Sequence, residues 1–466
     1  MTGTRLRTSN AFALLFGAGL VVRLVLMLTT LVTNDNLVYG GVIDAARAHA
    51  PLYRSAAFSY PPLPGYYLEG VGHVLQAANL PTFVRYENAL RYAIPDLTSM
   101  DFTTPFATFL IKAPALVLDM LCALSVARAV LALGRSRGDA ERAALLWWLN
   151  PMTLWSGGVA GTWDAIVPIA FIESLLAARG GRWFAAGTIV AFGTFARIVP
   201  GYALFVTLPL VLRGIDASTA FSRARVAAIR VARFAAGGAL VSAILLAPIL
   251  IWNELGAMRH ALFARFGDFS PTGLTVLSFV HLIPFASALP WLQAHREAVV
   301  ALYGALSLAA PLAVAAALLV APPDLRTSLA AAAALLVSLL VFSPFVQGNY
   351  VLWLVPLLAA FEHESRWWSR AAWGLGAIAA TFAHVVRGTA GILYPACAWY
   401  RFCDLPTMAE RSFAYHELPG TLGTTVQIER DAVLGQAGGI LLIFVAIFSY
   451  RHLFMAVGRT RRPHPR

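Results

Sequence analysis

The sequence predicts an all-α polytopic membrane protein of about twelve transmembrane helices, with a long first external loop carrying interfacial helices. Composition comes first. Of 466 residues 59% are hydrophobic and 12% charged, and the mean hydropathy is +0.70. A soluble domain carries about twice that charge. Second, apolar runs of span length recur along the chain, which is long enough for about a dozen spans of about 20 residues plus loops. Third, the net charge of +12 is almost all arginine, with Lys112 the only lysine. Those arginines collect in alternate short loops, which is the positive-inside pattern rather than a nucleic-acid footprint, so no nucleic-acid partner is expected.

The elements follow in order. Arg5 and Arg7 precede an apolar run from about Asn10 to Thr33. It is too long for a signal peptide and lacks an Ala-x-Ala-like site, so it reads as the first span. The first external loop, 34–104, has two patterns of helical period: Leu68, Val71, Leu75 and Ala78, then Phe83, Tyr86, Leu90 and Ala93. Two helices lying in the membrane surface satisfy both. Spans two to four fall at about 105–133, 143–161 and 164–178. Spans five and six, 183–196 and 199–212, are short and broken around Arg197 and Pro200. A basic loop with Arg213, Arg223, Arg225, Arg230 and Arg233 leads to span seven, ending near Trp252. A second external loop covers 253–298. Spans eight to eleven fall at about 299–321, 328–341, 350–361 and 370–392. A third external loop, 393–432, precedes span twelve at 433–450 and a basic tail. The whole chain, 1–466, is one membrane-embedded domain without a soluble appendage. Alternation puts both termini in the cytoplasm and the protein in the inner (plasma) membrane, in contact with its lipids. Cys122 lies in an apolar run; Cys397 and Cys403 share a polar loop where a disulfide and free thiols are both open.

The chain is organised around 34–70. Asp35 sits where the first span leaves lipid, with Tyr39, Asp44, Tyr53 and Tyr60-Pro61-Pro62-Leu63-Pro64 after it. Prolines stiffen the segment and tyrosines suit the headgroup level. It reads as a catalytic loop; a plain connecting loop is the alternative. Asp35, Asp44, Asp164 and Arg197 fall at the outer surface, and Lys112 about two turns into span two. A charge within a span costs about 2.5–3.5 kcal/mol on insertion scales and needs a partner or a purpose. Lys112 and Arg197 are candidates for neutralising a phosphate at the boundary; snorkelling and a structural cap are their alternatives. Asp119 and Arg23 lie at matching depth in spans two and one, and a buried ion pair locking the two helices is expected. Glu173, His281, His384 and Arg387 are weaker candidates. No phosphate-cradling glycine loop, His-Glu-x-x-His or Gly-x-Ser-x-Gly occurs.

Several motifs, in this order, resemble the GT-C superfamily of integral-membrane glycosyltransferases. They are Asp35-x-x-x-Tyr39, Pro51-Leu52-Tyr53 and Tyr60-Pro61-Pro62-Leu63. Next come Lys112-Ala113-Pro114-Ala115 with Asp119, Asn150-Pro151, Gly161-Thr162-Trp163-Asp164 and Arg197-Ile198-Val199-Pro200. Last is Asn349-Tyr350 with Trp353 and Pro356. Two departures stand out: the family often has Gly-Gln-x-Asp where Gly161-Thr162-Trp163-Asp164 stands, and Lys where Arg197 stands. The resemblance implies a polyprenyl-phosphate-linked hexose, mannose or glucose, as donor and a lipid-linked or cell-envelope glycan as acceptor. It implies one inverting displacement on the non-cytoplasmic face. Asp35, or alternatively Asp44, would be general base. Lys112 and Arg197 would hold the phosphate, and Asp164, Tyr39, Tyr60 and Tyr350 would line the site. No metal or cofactor is expected. A transporter or flippase of a lipid-linked sugar is the second reading, and a polymerase or ligase using a diphosphate carrier the third.

Overall fold

The computed structural model describes residues 9–30, 33–55, 58–87, 99–213, 219–263, 290–291, 294–321, 324–343, 346–387 and 421–459. The described chain is helical apart from one hairpin. In order it runs α1 (Asn10–Thr29), α2 (Thr33–Arg47), α3 (Leu52–Ser55), α4 (Pro62–Ala77), β1 (Phe83–Glu87), β2 (Ser99–Thr103), α5 (Pro105–Ala132) and α6 (Arg137–Trp148). It continues with α7 (Pro151–Thr153) leading into a π-helical segment (Leu154–Ala160), then α8 (Ile166–Arg179), α9 (Trp183–Ala196), a 3-10 turn (Val199–Ala203) and α10 (Leu204–Leu212). The rest is α11 (Ala220–Ile251), α12 (Leu255–Phe263), α13 (Arg296–Val320), α14 (Leu325–Val341), a 3-10 turn (Gly348–Trp353), α15 (Val355–Ala360), α16 (Arg366–Arg387) and α17 (Thr421–Arg459).

Among the described residues five helices are long and apolar enough to cross a membrane: α1, α5, α11, α13 and the Gln436–Met455 part of α17. Others are apolar but short. With 14 residues, α8 spans about 21 Å, less than a hydrocarbon core of about 30 Å.

Helix ends follow local chemistry. The Ser9 hydroxyl accepts from Phe12 N–H and starts α1; Thr104 does the same for α5, with Pro105 in the first turn. Ser136 and Asp139 form a capping box on α6. Three expectations need correction. The run 143–161 is not one helix: Pro151 cannot donate, and Asn150 caps a new start through Met152 N–H. The arginines Arg223 to Arg233 lie in α11 and not in a loop, because Arg and Ala favour helix and Thr219–Ser222 caps it. The 83–93 pattern is not a helix at its start. Phe83–Glu87 pairs antiparallel with Ser99–Thr103, Phe83 opposite Thr103, because aromatic and β-branched residues suit a strand as readily.

Of the other elements expected, residues 388–420 with Cys397 and Cys403, and 264–289 with His281, lie outside the described residues, as do the side chains of His384 and Arg387.

The core is built on α14, buried along nearly its whole length. Its alanine run Ala330–Ala334 lets α8, α13 and α17 approach closely. The N-terminal end of α14 is tied down by a two-pronged bond, Arg326 Nε and Nη2 donating to Glu364 at 2.6 and 2.7 Å. Burial raises the Glu364 carboxyl, but the Arg326 bonds outweigh it and hold the group below its ordinary range. A depressed carboxylate contributes stability above its unfolded pKa, and loses it as pH falls through the folded one. Glu364→Gln is therefore expected to cost about 1–2 kcal/mol at neutral pH, with the gap from wild type closing below about pH 4. Thermal unfolding of the purified protein across pH reads this directly.

Candidate functional site

Two helix breaks meet to make the site. The π-helical segment ends at Gly161, whose φ of +70° lies in the left-handed region. A Cβ there would also press on Lys112 Cγ at 2.6 Å. The turn that follows delivers Trp163 and Asp164 just before α8. On the other side α9 stops at Arg197, in extended backbone (φ −148°, ψ 145°) ahead of Pro200. The two side chains meet: Arg197 Nη2 lies 3.0 Å from Asp164 Oδ1.

Asp164 is fully buried and fully satisfied. Oδ2 accepts from Asn349 Nδ2 at 2.5 Å, and Oδ1 accepts from Trp353 Nε1 at 3.1 Å. Tyr350 stacks on Trp353, ring centroids 4.5 Å apart. The 3-10 turn late in the chain thus braces the carboxylate that braces Arg197. The Arg197 guanidinium lies over the Tyr60 ring at 5.0 Å, and its buried Nε–H has no hydrogen-bond partner. It forms the wall of a narrow cleft of about 10 Å³ with Tyr39, Tyr60, Pro64, Leu68 and Trp163.

Trp163 and Ala196 belong also to a second cavity of about 330 Å³. Its other walls are apolar, among them Leu63, Val117, Leu118, Ile166 and Phe192. Val117 and Phe192 are exposed, so this groove opens on the outer surface of the helices. Tyr67 closes its end with the hydroxyl donating to Leu110 O at 2.6 Å, and burial pushes its phenol up to about 12. A cation-walled cleft therefore shares a wall with an apolar groove. Such an arrangement takes an amphiphile, its polar head toward Arg197 and its hydrocarbon along α5 and α9.

The other sequence candidates fall differently. Tyr39, Tyr60 and Arg197 line the cleft, and Tyr350 and Asp164 stand behind it. Lys112 does not join them. Its fully buried ammonium donates to Thr30 O at 2.5 Å and Met27 O at 3.5 Å, carbonyls at the end of α1, and to Gly158 O at 3.2 Å in the π-helical segment. Asp44 is exposed on α2, its carboxylate 3.9 Å from Arg47. Asp35 lies one helical turn before Tyr39 on the same helix; its side chain is outside the described residues. The sequence reading missed Trp163 as a wall residue, although its place beside Asp164 was the available signal. The expected Arg23–Asp119 pair is present at 3.1 Å, fully buried.

No protein-family profile matches this chain. No curated protein matches it either.

Proposed function

We propose that the protein is a GT-C-like membrane glycosyltransferase of about twelve spans with both termini cytoplasmic. It moves a hexose, mannose or glucose, from a polyprenyl-phosphate carrier to a lipid-linked or cell-envelope glycan on the non-cytoplasmic face. The observation that carries this reading is the held guanidinium of Arg197. Asp164 fixes one arm, Nε–H is left without a partner, and an apolar groove runs on from the same wall. An anionic headgroup on a long hydrocarbon meets all three conditions.

In the reaction the acceptor hydroxyl attacks the anomeric carbon. Its proton passes to a carboxylate while the bond from that carbon to the phosphate oxygen breaks. The electron pair leaves on the phosphate, and Arg197 stabilises the charge that gathers there. Asp35 is the base in this reading: it is one turn from Tyr39, whereas Asp44 lies about 140° further round α2 and is exposed. Lys112 has no part in phosphate binding here, since its donors are spent on carbonyls. The cleft is narrower than a sugar phosphate, so the Tyr39 and Tyr60 rings part when the donor enters.

The test is sugar transfer in membranes carrying the protein, supplied in turn with labelled polyprenyl-phosphate-mannose and polyprenyl-phosphate-glucose. Wild type is expected to transfer one of them, and Asp35→Asn to bind the donor but transfer none. Equal transfer by both proteins would remove Asp35 from the chemistry. No transfer from either donor, with the lipid moving between leaflets, would replace the enzyme by a flippase.

A further inference from the structure

On the far side of α4 from the cleft lies a separate cavity of about 170 Å³, closed by the C-terminal turn of α2 and the end of α11. α4 serves both: Pro64 and Leu68 face the cleft, while Tyr66, Glu69 and His73 face the cavity. These are two stripes at helical spacing. We infer that this cavity is a saccharide-binding subsite, holding a sugar of the acceptor glycan away from the reacting hydroxyl. The assignment to the acceptor rests on the transferase reading; the saccharide site itself does not.

The wall chemistry decides the ligand class. Glu69 and Glu254 supply carboxylate oxygens and His49 and His73 ring nitrogens; the Tyr66 hydroxyl donates to Leu245 O at 2.8 Å and offers its oxygen as an acceptor. Neither Lys nor Arg is among the lining residues, so no fixed positive charge awaits an anion there. Trp252 is 60% exposed and lines one side, with Pro51 and Pro248 as further flat apolar surface. Hydrogen-bonding groups opposite an open indole face suit a sugar ring, which has hydroxyls at its edge and C–H groups on its face. At about 170 Å³ the cavity is smaller than the pockets of about 300 Å³ upward that drug-sized ligands fill, which limits the occupant to a single ring.

A cation is the rival occupant and fits less well. Glu254 is nearly fully buried, and its Oε1 already accepts Tyr53 N–H at 2.9 Å. Burial and the neighbouring Glu254 raise the Glu69 carboxyl, which disfavours its charged form beside a cation. Among the described residues no group of three His, Cys, Asp or Glu is placed to hold a metal ion. A neutral polyol donating hydroxyls to both carboxylates needs neither charge. His49 stands in the left-handed turn that ends α2, φ +54°, and that turn puts it on the cavity wall.

The cavity is also wired to the cleft. Glu254 holds Tyr53 N–H, the Tyr53 hydroxyl donates to Tyr60 O at 2.8 Å, and the Tyr60 ring lies under Arg197. A sugar bound at Glu254 therefore presses on the segment that forms the lip of the reaction cleft.

The experiment is saturation-transfer NMR on the detergent-purified full chain. Methyl α-mannopyranoside and methyl β-glucopyranoside are the probes, with choline as the cationic control. Wild type should saturate the ring protons of at least one glycoside. Trp252→Ala and Glu69→Gln should each weaken that signal about tenfold, and Arg197→Ala should leave it intact. Trp252 is exposed and Glu69→Gln keeps its shape, so neither change threatens the fold. No glycoside signal in wild type, a signal insensitive to both cavity variants, or saturation of choline in place of the glycosides would each overturn the proposal. The transferase reading fails separately: absent sugar transfer with intact glycoside saturation removes the donor chemistry and keeps the saccharide site.

Discussion

Arg197→Ala is expected to lower sugar transfer by about 10²–10³-fold, the range seen when one preorganised donor to a developing negative charge is removed. Two consequences separate this from simple unfolding. The buried Asp164 carboxylate keeps its Asn349 and Trp353 donors when the guanidinium goes, so the protein should lose stability yet still purify as a folded species. Loss should also appear in donor binding, since the guanidinium meets the phosphate before as well as during bond breaking. Arg197→Lys keeps the charge but not the fork; it should keep weak binding and recover only part of the rate. Asp164→Asn gives the sharper control. The amide cannot offset the Arg197 charge, and its own N–H₂ competes with Asn349 and Trp353 for the same space. The expected result is a loss of transfer close to that of Arg197→Ala, although Asp164 does not line the cleft. Wild-type transfer by both Arg197→Ala and Asp164→Asn would sink the site assignment.

Much of this site was legible in the sequence because charge inside an apolar run is costly and therefore conspicuous. Arg197 ahead of Pro200, Asp164 after Gly161, and the Arg23–Asp119 pair all stood out for that reason. The same argument did not reach the partners of Lys112. A charge in a span announces that it has a partner, but not which one. Its partners are backbone carbonyls at Thr30 and Gly158, which carry no signature in the residue string. The cavity beside Glu69 and Glu254 was illegible for a different reason. Its carboxylates are 185 residues apart, in a loop and at a span end where acidic residues are ordinary. Only the fold of α4 against α11 brings them together. The span count illustrates a third limit. Among the described residues five helices are long and apolar enough to cross, while α8, α9 and α10 are short pieces that run into Gly180, Arg197 and Arg213. Hydropathy finds such pieces but does not say how they stack.

The second large effect concerns what holds the site's floor. Arg23 on α1 donates through Nε to Asp119 Oδ2 at 3.1 Å and through Nη2 to Trp148 O at 2.7 Å, and its guanidinium lies 3.7 Å from the Trp148 ring. Trp147 Nε1 donates to Asp119 O, which adds α6 to the same knot. The π-helical segment packs directly on it: a Cβ at Gly157 would land on the Asp119 carboxylate. This segment runs into the Gly161 turn that presents Asp164, so the knot and the Arg197 cleft share one backbone. Arg23→Gln leaves a buried carboxylate without its cation and is expected to cost about 3–5 kcal/mol. Asp119→Asn strands the cation instead and should cost a similar amount. The double variant replaces the ion pair by two neutral amides able to bond each other, with the shorter glutamine giving up the Trp148 contacts. It should recover most of the loss, because the penalty lies in the uncompensated charge and not in the absence of the pair. Unfolding titrations of the three variants in mixed detergent measure the coupling. Additive losses in the double variant would mean that Arg23 and Asp119 act separately, each through its tryptophan, and that the ion pair is incidental to the floor of the site.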